Sequence, residues 1–475
     1  MPRRPLRSLP LTSLLLLALS MGCGDSGPPP EPDGWADAVA LPTLVDKNPD
    51  PNIVEVSLEA GIGKHSFQGG APIDVWTYNG TTPGPTLRAK VGDTVIVHFK
   101  NSLPEETTIH WHGLRVPNSM DGSEVTQKPV PAGGSFDYTF KLQDAGTFWY
   151  HPHIRSNVQI EKGLYGAIIV DDPKAPALGS EAVLMLDDVL LDKQGNVSDP
   201  TTESDLEAYF GREGNVLLVN GKALPTIRAR PGLPIRFRLI DTANARYFKL
   251  ALEGHVFTRV GGDMGLLEKA VASETVMVVP GERNEVLLTP QGSAGDKLDV
   301  RWLPYDRGYG TGLPDPQTLF TIALEGEAPD GDPAPLPEAL GSITPLDTSH
   351  ATTQSLRLTE SIAGTVISMG INDHRYGDPD ELMIEAKVGE TQVWEIENTT
   401  MADHPFHLHG FRFQVLDVGG SEPPFPEWKD TQNMPAQKKV RFGVNFDDRP
   451  GMWMFHCHIL DHQRLGMMGM LMVMP

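Results

Sequence analysis

Cysteine is nearly absent. The 475-residue chain has two, Cys23 and Cys457, so at most one crosslink is possible and no disulfide framework can hold the fold. Positive charge is scarce too. Lys and Arg number 39 against 62 Asp and Glu, a formal net charge of −23. A field of that sign repels phosphate and argues against nucleic acid as a partner. Long apolar runs are missing: the stretch 14–19 is too short to cross a bilayer as a mature helix. Helical periodicity is rarely sustained, and Asp205–Phe210 reads as a turn or two at most. What abounds is 48 Gly and 42 Pro, the composition of turn-rich β-structure. The length exceeds one ordinary core and implies two or three domains.

The N-terminus reads as an export signal. Arg3, Arg4 and Arg7 precede the apolar stretch, and Gly22-Cys23 and a Pro-rich run over 27–34 follow it. This resembles a bacterial lipoprotein signal with Cys23 as the lipidated residue, although Ser20 stands where an aliphatic residue is usual. The expectation is an exported protein, periplasmic or lipid-anchored through Cys23, with residues 1–35 as signal and tether. Removal or acylation of Cys23 leaves Cys457 without an intramolecular partner, so Cys457 reads as a metal ligand rather than half of a crosslink.

The chain repeats itself at domain scale. Residues 85–92 (PTLRAKVG), 225–232 (PTIRARPG) and 382–389 (LMIEAKVG) match, and an alternating strand follows each. Val95, Val97 and Phe99, then Ile235, Phe237 and Leu239, then Val393 read as the apolar faces of those strands. Three copies imply an all-β protein of three β-sandwich domains, 36–172, 180–325 and 346–475, with 326–345 as an Asp- and Pro-rich linker.

Ten of the fifteen histidines fall in four clusters that obey this repeat. His110 and His112 lie nine and eleven residues after Asn101, and His407 and His409 lie at the same distances after Asn398. The same steps from Asp241 reach Leu250 and Leu252, so the second copy carries no ligands there. A further match aligns 146–153 (GTFWYHPH) with 451–458 (GMWMFHCH). Alternate residues of an extended segment point the same way. Each His-X-His therefore presents two imidazoles to one side, eight in all: His110, His112, His151, His153, His407, His409, His456 and His458. One metal cannot use eight, whereas three metals at the interface of the first and third domains can.

Cys457 points away from that group and needs partners of its own. His404 and His462 supply a His2Cys set, and Met467, five residues beyond His462, is placed as a weak axial thioether. That is the blue-copper geometry. The first copy has Thr107, Pro152 and Asn157 in the corresponding places, so only one such site is possible. The alternating methionines Met468, Met470, Met472 and Met474 read as one strand face.

At these four clusters, and at 280–286 (PGERNEV) and 449–456 (RPGMWMFH), the chain resembles the multicopper oxidases, especially three-domain bacterial laccase-like enzymes. The resemblance implies three cupredoxin-like Greek-key domains and four copper ions. It implies a type 1 copper on His404, Cys457, His462 and Met467 and a type 2 copper on His110 and His407. The paired type 3 coppers fall to His112, His151, His153, His409, His456 and His458. It implies a monomer that oxidises a phenol, aromatic amine or metal ion by single electrons and couples this to reduction of O2 to water. Cys457, His456 and His458 would carry the electrons inward, and Asp121 would relay protons. Gln463 departs from relatives that have a carboxylate after the last histidine. Asp403 and the loop 419–428 are expected to line the substrate pocket. The competing readings are a Cu(I) or Fe(II) oxidase and a copper-free scaffold; copper-efflux relatives often carry a Met-rich insertion where this chain is Pro- and Asp-rich, and a scaffold should lack ligands.

Overall fold

Among the described residues, six sheets pair into three sandwiches. The computed structural model describes residues 39–475 apart from 310–311, 330, 332–334 and 364–365. The expected signal and tether lie outside the described residues. None of the described helices is long and apolar enough to cross a membrane.

The repeated segments occupy the same place in each sandwich. Gly84–Lys90, Thr226–Ala229 and Met383–Lys387 each run parallel to the last strand of their own copy, Gly166–Asp171, Gln317–Leu324 and Met468–Met474. The strands that follow them, Thr94–Asn101, Ile235–Asp241 and Thr391–Asn398, lie in the opposite sheet. Each is held between a parallel and an antiparallel neighbour. Parallel neighbours cannot be joined by a tight hairpin, so the chain crosses between sheets, which gives the cupredoxin-like topology.

Alternation in Thr94–Asn101 buries Val95, Val97 and Phe99 against the first core, and Ile235, Phe237 and Leu239 do the same in the second. The third copy differs from expectation. Trp394 and Ile396, not Val393, face its core. Asn398 sets this phase. Its amide donates to Ala402 O and Met434 O at 2.8 Å each, as Asn101 donates to Glu105 O and Val130 O at 2.9 Å, and two-residue steps back from Asn398 reach 396 and 394. The stretch 326–345 has neither helix nor strand among its described residues. Asp205–Phe210 is a short helix started by a reciprocal Ser204–Glu207 capping box, and it lies over the end of the third sandwich.

Candidate metal centres

Two antiparallel strand pairs carry the histidines. His110–His112 lies against Gly146–His151, with His110 opposite His151. His404–Leu408 lies against Gly451–Cys457, with His407 opposite His456 and Phe406 opposite Cys457. Alternation turns Trp111 and Leu408 into their sandwich cores and the flanking imidazoles outward. The outward faces of the first and third sandwiches then meet. His112 stacks on His407 with ring centroids 3.8 Å apart, and His110 on His409 at 3.9 Å. His153 Nε2 comes within 3.4 Å of His456 Nε2. All eight rings are buried. In the second copy Leu250 and Leu252 are buried in an apolar core, as their chemistry requires.

The hydrogen bonds around these rings fix which nitrogen carries the proton. His110 Nδ1 donates to Asp121 O at 2.8 Å, His151 Nδ1 to Pro152 O at 2.9 Å, His407 Nδ1 to Asp430 O at 3.0 Å and His456 Nδ1 to Cys457 O at 3.0 Å. His409 Nδ1 donates to Asp121 Oδ2 at 3.0 Å, and His112 Nε2 to Asp430 Oδ1 at 3.1 Å. Carbonyl and carboxylate oxygens only accept, so the other nitrogen of each ring keeps its lone pair. Those atoms have no protein donor. His110 Nε2, His112 Nδ1, His151 Nε2 and His407 Nε2 are buried without partners, and both nitrogens of His458 are as well. His409 Nε2 and His456 Nε2 face each other at 3.0 Å as two lone pairs. Orphaned buried acceptors are costly unless a cation sits among them. The donor set therefore fits metal ions bound by neutral imidazole.

The second centre obeys the same logic. Thr400 Oγ1 gives its proton to Asn398 Oδ1 or Ala402 O and accepts from His404 Nε2 at 2.7 Å. His462 Nε2 donates to Tyr209 O at 3.0 Å. Both Nδ1 atoms are thus bare, yet they lie 3.0 Å apart and 3.5 and 3.6 Å from Cys457 Sγ. Two lone pairs and a thiol converge on one point. Burial pulls His404 down to about 3 and pushes the Cys457 thiol up to about 12, so the rings are ready to bind and the thiol must lose a proton. Met467 is fully buried in the same core as Cys457. Its main chain ties the loop together: Met467 N donates to His462 O and Cys457 N donates to Met467 O, both at 3.0 Å. In the first sandwich the corresponding Thr107 hydroxyl is bonded to Gln159 and Asn157 faces Asp461, so no second thiol site exists there.

Carboxylates hold the rings from behind. Asp121, almost wholly buried, spans His409 and His110, with His110 Nδ1 at 3.4 Å from its Oδ1. Burial alone would raise its carboxyl, but the two histidines hold it well below the usual range. Gly122 makes this approach possible: at φ +84° a Cβ would lie 1.8 Å from Ile109 O. Asp430 was not foreseen. It accepts from His112 and Thr431 Oγ1 through Oδ1, and it forms a bidentate pair with Arg283 from the second sandwich. Its sequence surroundings, Lys429-Asp430-Thr431, have no ligand spacing, and Arg283 was visible only inside the familiar segment 280–286.

Two pocket expectations are corrected. Asp403 is 5 % exposed, and both its oxygens are occupied: Tyr305 Oη and Asn433 Nδ2 donate to Oδ2, and Ala436 N donates to Oδ1. Buried and engaged at both oxygens, it is a structural tie and not a pocket wall open to substrate. The loop 419–428 lines a cavity of about 560 Å3 against Phe257, Arg259 and Met277 of the second sandwich, whose walls include neither His404 nor His462. Tyr209 and Tyr309 cover His462 instead, their rings 5.4 Å apart and Tyr309 Oη 3.3 Å from His462 Nε2. No spacing rule marks either tyrosine.

Three cupredoxin-like sandwiches, a histidine nest shared by the outer two and a buried His2Cys site in the third define a copper-dependent oxidoreductase. The comparisons narrow that class. Multicopper oxidase family models match residues 59–175, 180–297 and 347–475. The multicopper oxidase MmcO of Mycobacterium tuberculosis is 30% identical over 436 residues, 84% of this chain and 83% of its own. The laccase of Bacillus subtilis is 28% identical, covering 84% of this chain and 90% of its own. The solved multicopper oxidase of Campylobacter jejuni, described as a metallo-oxidase, superposes with a TM-score of 0.82 at 30% identity, over 92% of this chain and 94% of that one. The chain belongs to the multicopper oxidases, copper enzymes that use O2 as acceptor.

Proposed function

We propose that the protein is a laccase-like oxidase with four coppers. His404, Cys457, His462 and Met467 would hold the type 1 ion. His110 and His407 would hold the type 2 ion. His112, His151, His153, His409, His456 and His458 would hold the type 3 pair. When bound, copper supplies one-electron redox chemistry at the first centre and four-electron reduction of O2 to water at the second. The chain's own part is to keep unprotonated nitrogens aimed at both sites, to exclude water from them and to join them covalently. The observation that carries the reading is Cys457 itself: its neighbours His456 and His458 belong to the nest, so thiolate and nest are one residue apart. Asp121, an ionised acceptor in contact with two of those rings, would relay protons there. The donor would be a phenol or aromatic amine. The domains would run 36–172, 180–325 and 346–475. The monomer would be exported, periplasmic or anchored through Cys23.

One observation favours a second reading, oxidation of Cu(I) or Fe(II). Tyr209 and Tyr309 roof His462, which is fully buried, and a small ion is less hindered there than a phenol. A copper-free scaffold would lack ligand atoms, and all are present. The test is elemental copper per chain, the intense thiolate-to-copper blue absorption, and steady-state oxidation of a phenol against Cu(I) and Fe(II). Fewer than about three coppers or no blue band refutes the oxidase, since a His2Cys site must colour. A large preference for either metal ion refutes the laccase label.

A further inference from the structure

Reduction of one O2 to two waters consumes four protons, and the histidine nest is buried, so protons need a route inward. The side chain nearest to hand cannot supply them. Gln463 lies with its amide nitrogen 3.3 Å from His153 Nε2, and its carbonyl oxygen accepts from Ser156 Oγ at 3.0 Å. An amide neither gains nor loses a proton near neutral pH.

A cavity of about 420 Å3 reaches His153 and Gln463, and Glu203 is in its wall. The Glu203 side chain is 8 % exposed, and its Oε2 has no partner. The negative charge of the neighbouring Asp461 acts on its carboxyl. Asp461 already accepts from Arg212 N at 2.8 Å through Oδ2 and from Asn157 Nδ2 at 3.3 Å through Oδ1. With two N–H donors on it, Asp461 is the better anion of the two, which leaves the proton to Glu203. The nearest cation is weakly placed: Arg212 Nη1 lies 3.9 Å from Glu203, and its Nε lies 2.9 Å from Glu161. The other charged groups on the cavity wall are Glu124, Arg155 and Arg464, with the phenol of Tyr376. Arg155 is paired with Glu105 and Arg464 with Asp205. Burial, then the Asp461 carboxylate, pushes the Glu203 carboxyl up to about 8.

We propose that Glu203 takes up protons from solvent for the histidine nest, passing them along this cavity past Gln463 to the edge of the nest beside His153. The proposal rests on the reading of the nest as the O2-reducing centre. In each transfer the Glu203 O–H bond breaks and the proton bonds to the next oxygen along the cavity, which has room for water. The carboxylate left behind is reprotonated from solvent. Four such transfers, with four electrons from the reducing substrate, balance O2 to two H2O.

The test uses the full copper-loaded protein and the variants Glu203→Gln, Glu203→Asp and Glu124→Gln. In Glu203→Gln, copper content, blue absorption and anaerobic bleaching of the blue band by donor should match the parent. O2 turnover should fall on the order of 100-fold, the low end of what a positioned proton donor supplies. The infrared pH-difference spectrum should lose one protonated-carboxyl signal, and Glu124→Gln should keep it. Undiminished turnover, an unchanged carboxyl signal, or the same loss in Glu124→Gln would overturn the assignment. If Glu203→Gln loses its blue absorption, Glu203→Asp carries the test: a shifted turnover pH profile supports the role and an identical one refutes it. A parent protein without copper or blue colour refutes the oxidase reading and this proposal with it, whereas a blue, four-copper parent indifferent to position 203 refutes this proposal alone.

Discussion

Replacing Arg283 by Met should strip the histidine nest of copper while the His404–Cys457–His462 site stays blue. Arg283 is completely buried and its donors are all spent. Nη1 donates to Asp430 Oδ1 at 2.7 Å and to Gly281 O at 3.0 Å. Nη2 donates to Asp430 Oδ2 and, at 2.9 Å, to Asp263 O. Nε donates to Thr147 O at 3.0 Å. Thr147 belongs to the first sandwich and Asp430 to the third, so one second-sandwich side chain ties all three together. Methionine fills the stem and removes every donor. Asp430 is then a buried carboxylate without its cation, and breaking such a pair costs about 3–5 kcal/mol. Asp430 would respond by taking up a proton, because the guanidinium is what holds it well below the usual range against burial. A protonated Asp430 no longer binds the His112 Nε2 proton firmly, and His112 Nδ1 ceases to be a dedicated lone pair. Denaturant midpoints of parent and variant give the stability difference, and elemental analysis gives copper per chain. The double variant Arg283→Met/Asp430→Leu separates the two effects. Removing both charges should recover much of the stability, but not the copper, since His112 still lacks its acceptor. A single variant within about 0.5 kcal/mol of the parent, the range of an ordinary surface change, would refute the reasoning. So would a double variant with full copper.

Cys457→Ser should abolish the blue absorption and turnover with the fold retained, as far-ultraviolet dichroism would register; persistent colour would place the thiolate elsewhere. Met467→Leu should raise the potential of the blue site, because an axial thioether donates weakly to the oxidised ion; redox titration reading an unchanged value would show that Met467 is not axial. Loading of the blue site should tighten about tenfold per pH unit between about pH 6 and 8, because one thiol proton, on a group pushed up to about 12, must be released; a flat dependence speaks against thiolate ligation. Glu285 is buried, which would raise its carboxyl, but Arg236 and Arg238 hold it down from 4.5 to about 2. A folded-state value below the unfolded one stabilises above about pH 4.5, and that contribution, about 3 kcal/mol, is lost as pH falls toward 2. Stability curves of parent and Glu285→Gln should therefore converge across that window, and curves that stay parallel would rule the linkage out.

The ligands were legible and their holders were not, for a physical reason. His110 and His112, or His407 and His409, share one extended segment, where a two-residue step guarantees a common face. The repeat adds register, because Asn101 and Asn398 make the same side-chain bonds at the same point of their strands. The same rule failed at Val393 only where the phase was taken from apolar residues instead of from Asn398. Asp430 meets its rings across 318 and 23 residues, and Arg283 meets Asp430 across 147. Nothing local in a chain encodes such distances. Tyr209 holds His462 by a backbone carbonyl, which every residue possesses, so no residue type could have marked it. Asp403 misled for the converse reason: its carboxylate looked free because Tyr305 and Asn433, which occupy it, come from other segments. Metal-binding nitrogens can be read from spacing because two of them must leave one element together. The proton on the far side of His112, His409 and His462 is set by groups that other domains bring, and only the assembled fold contains that information.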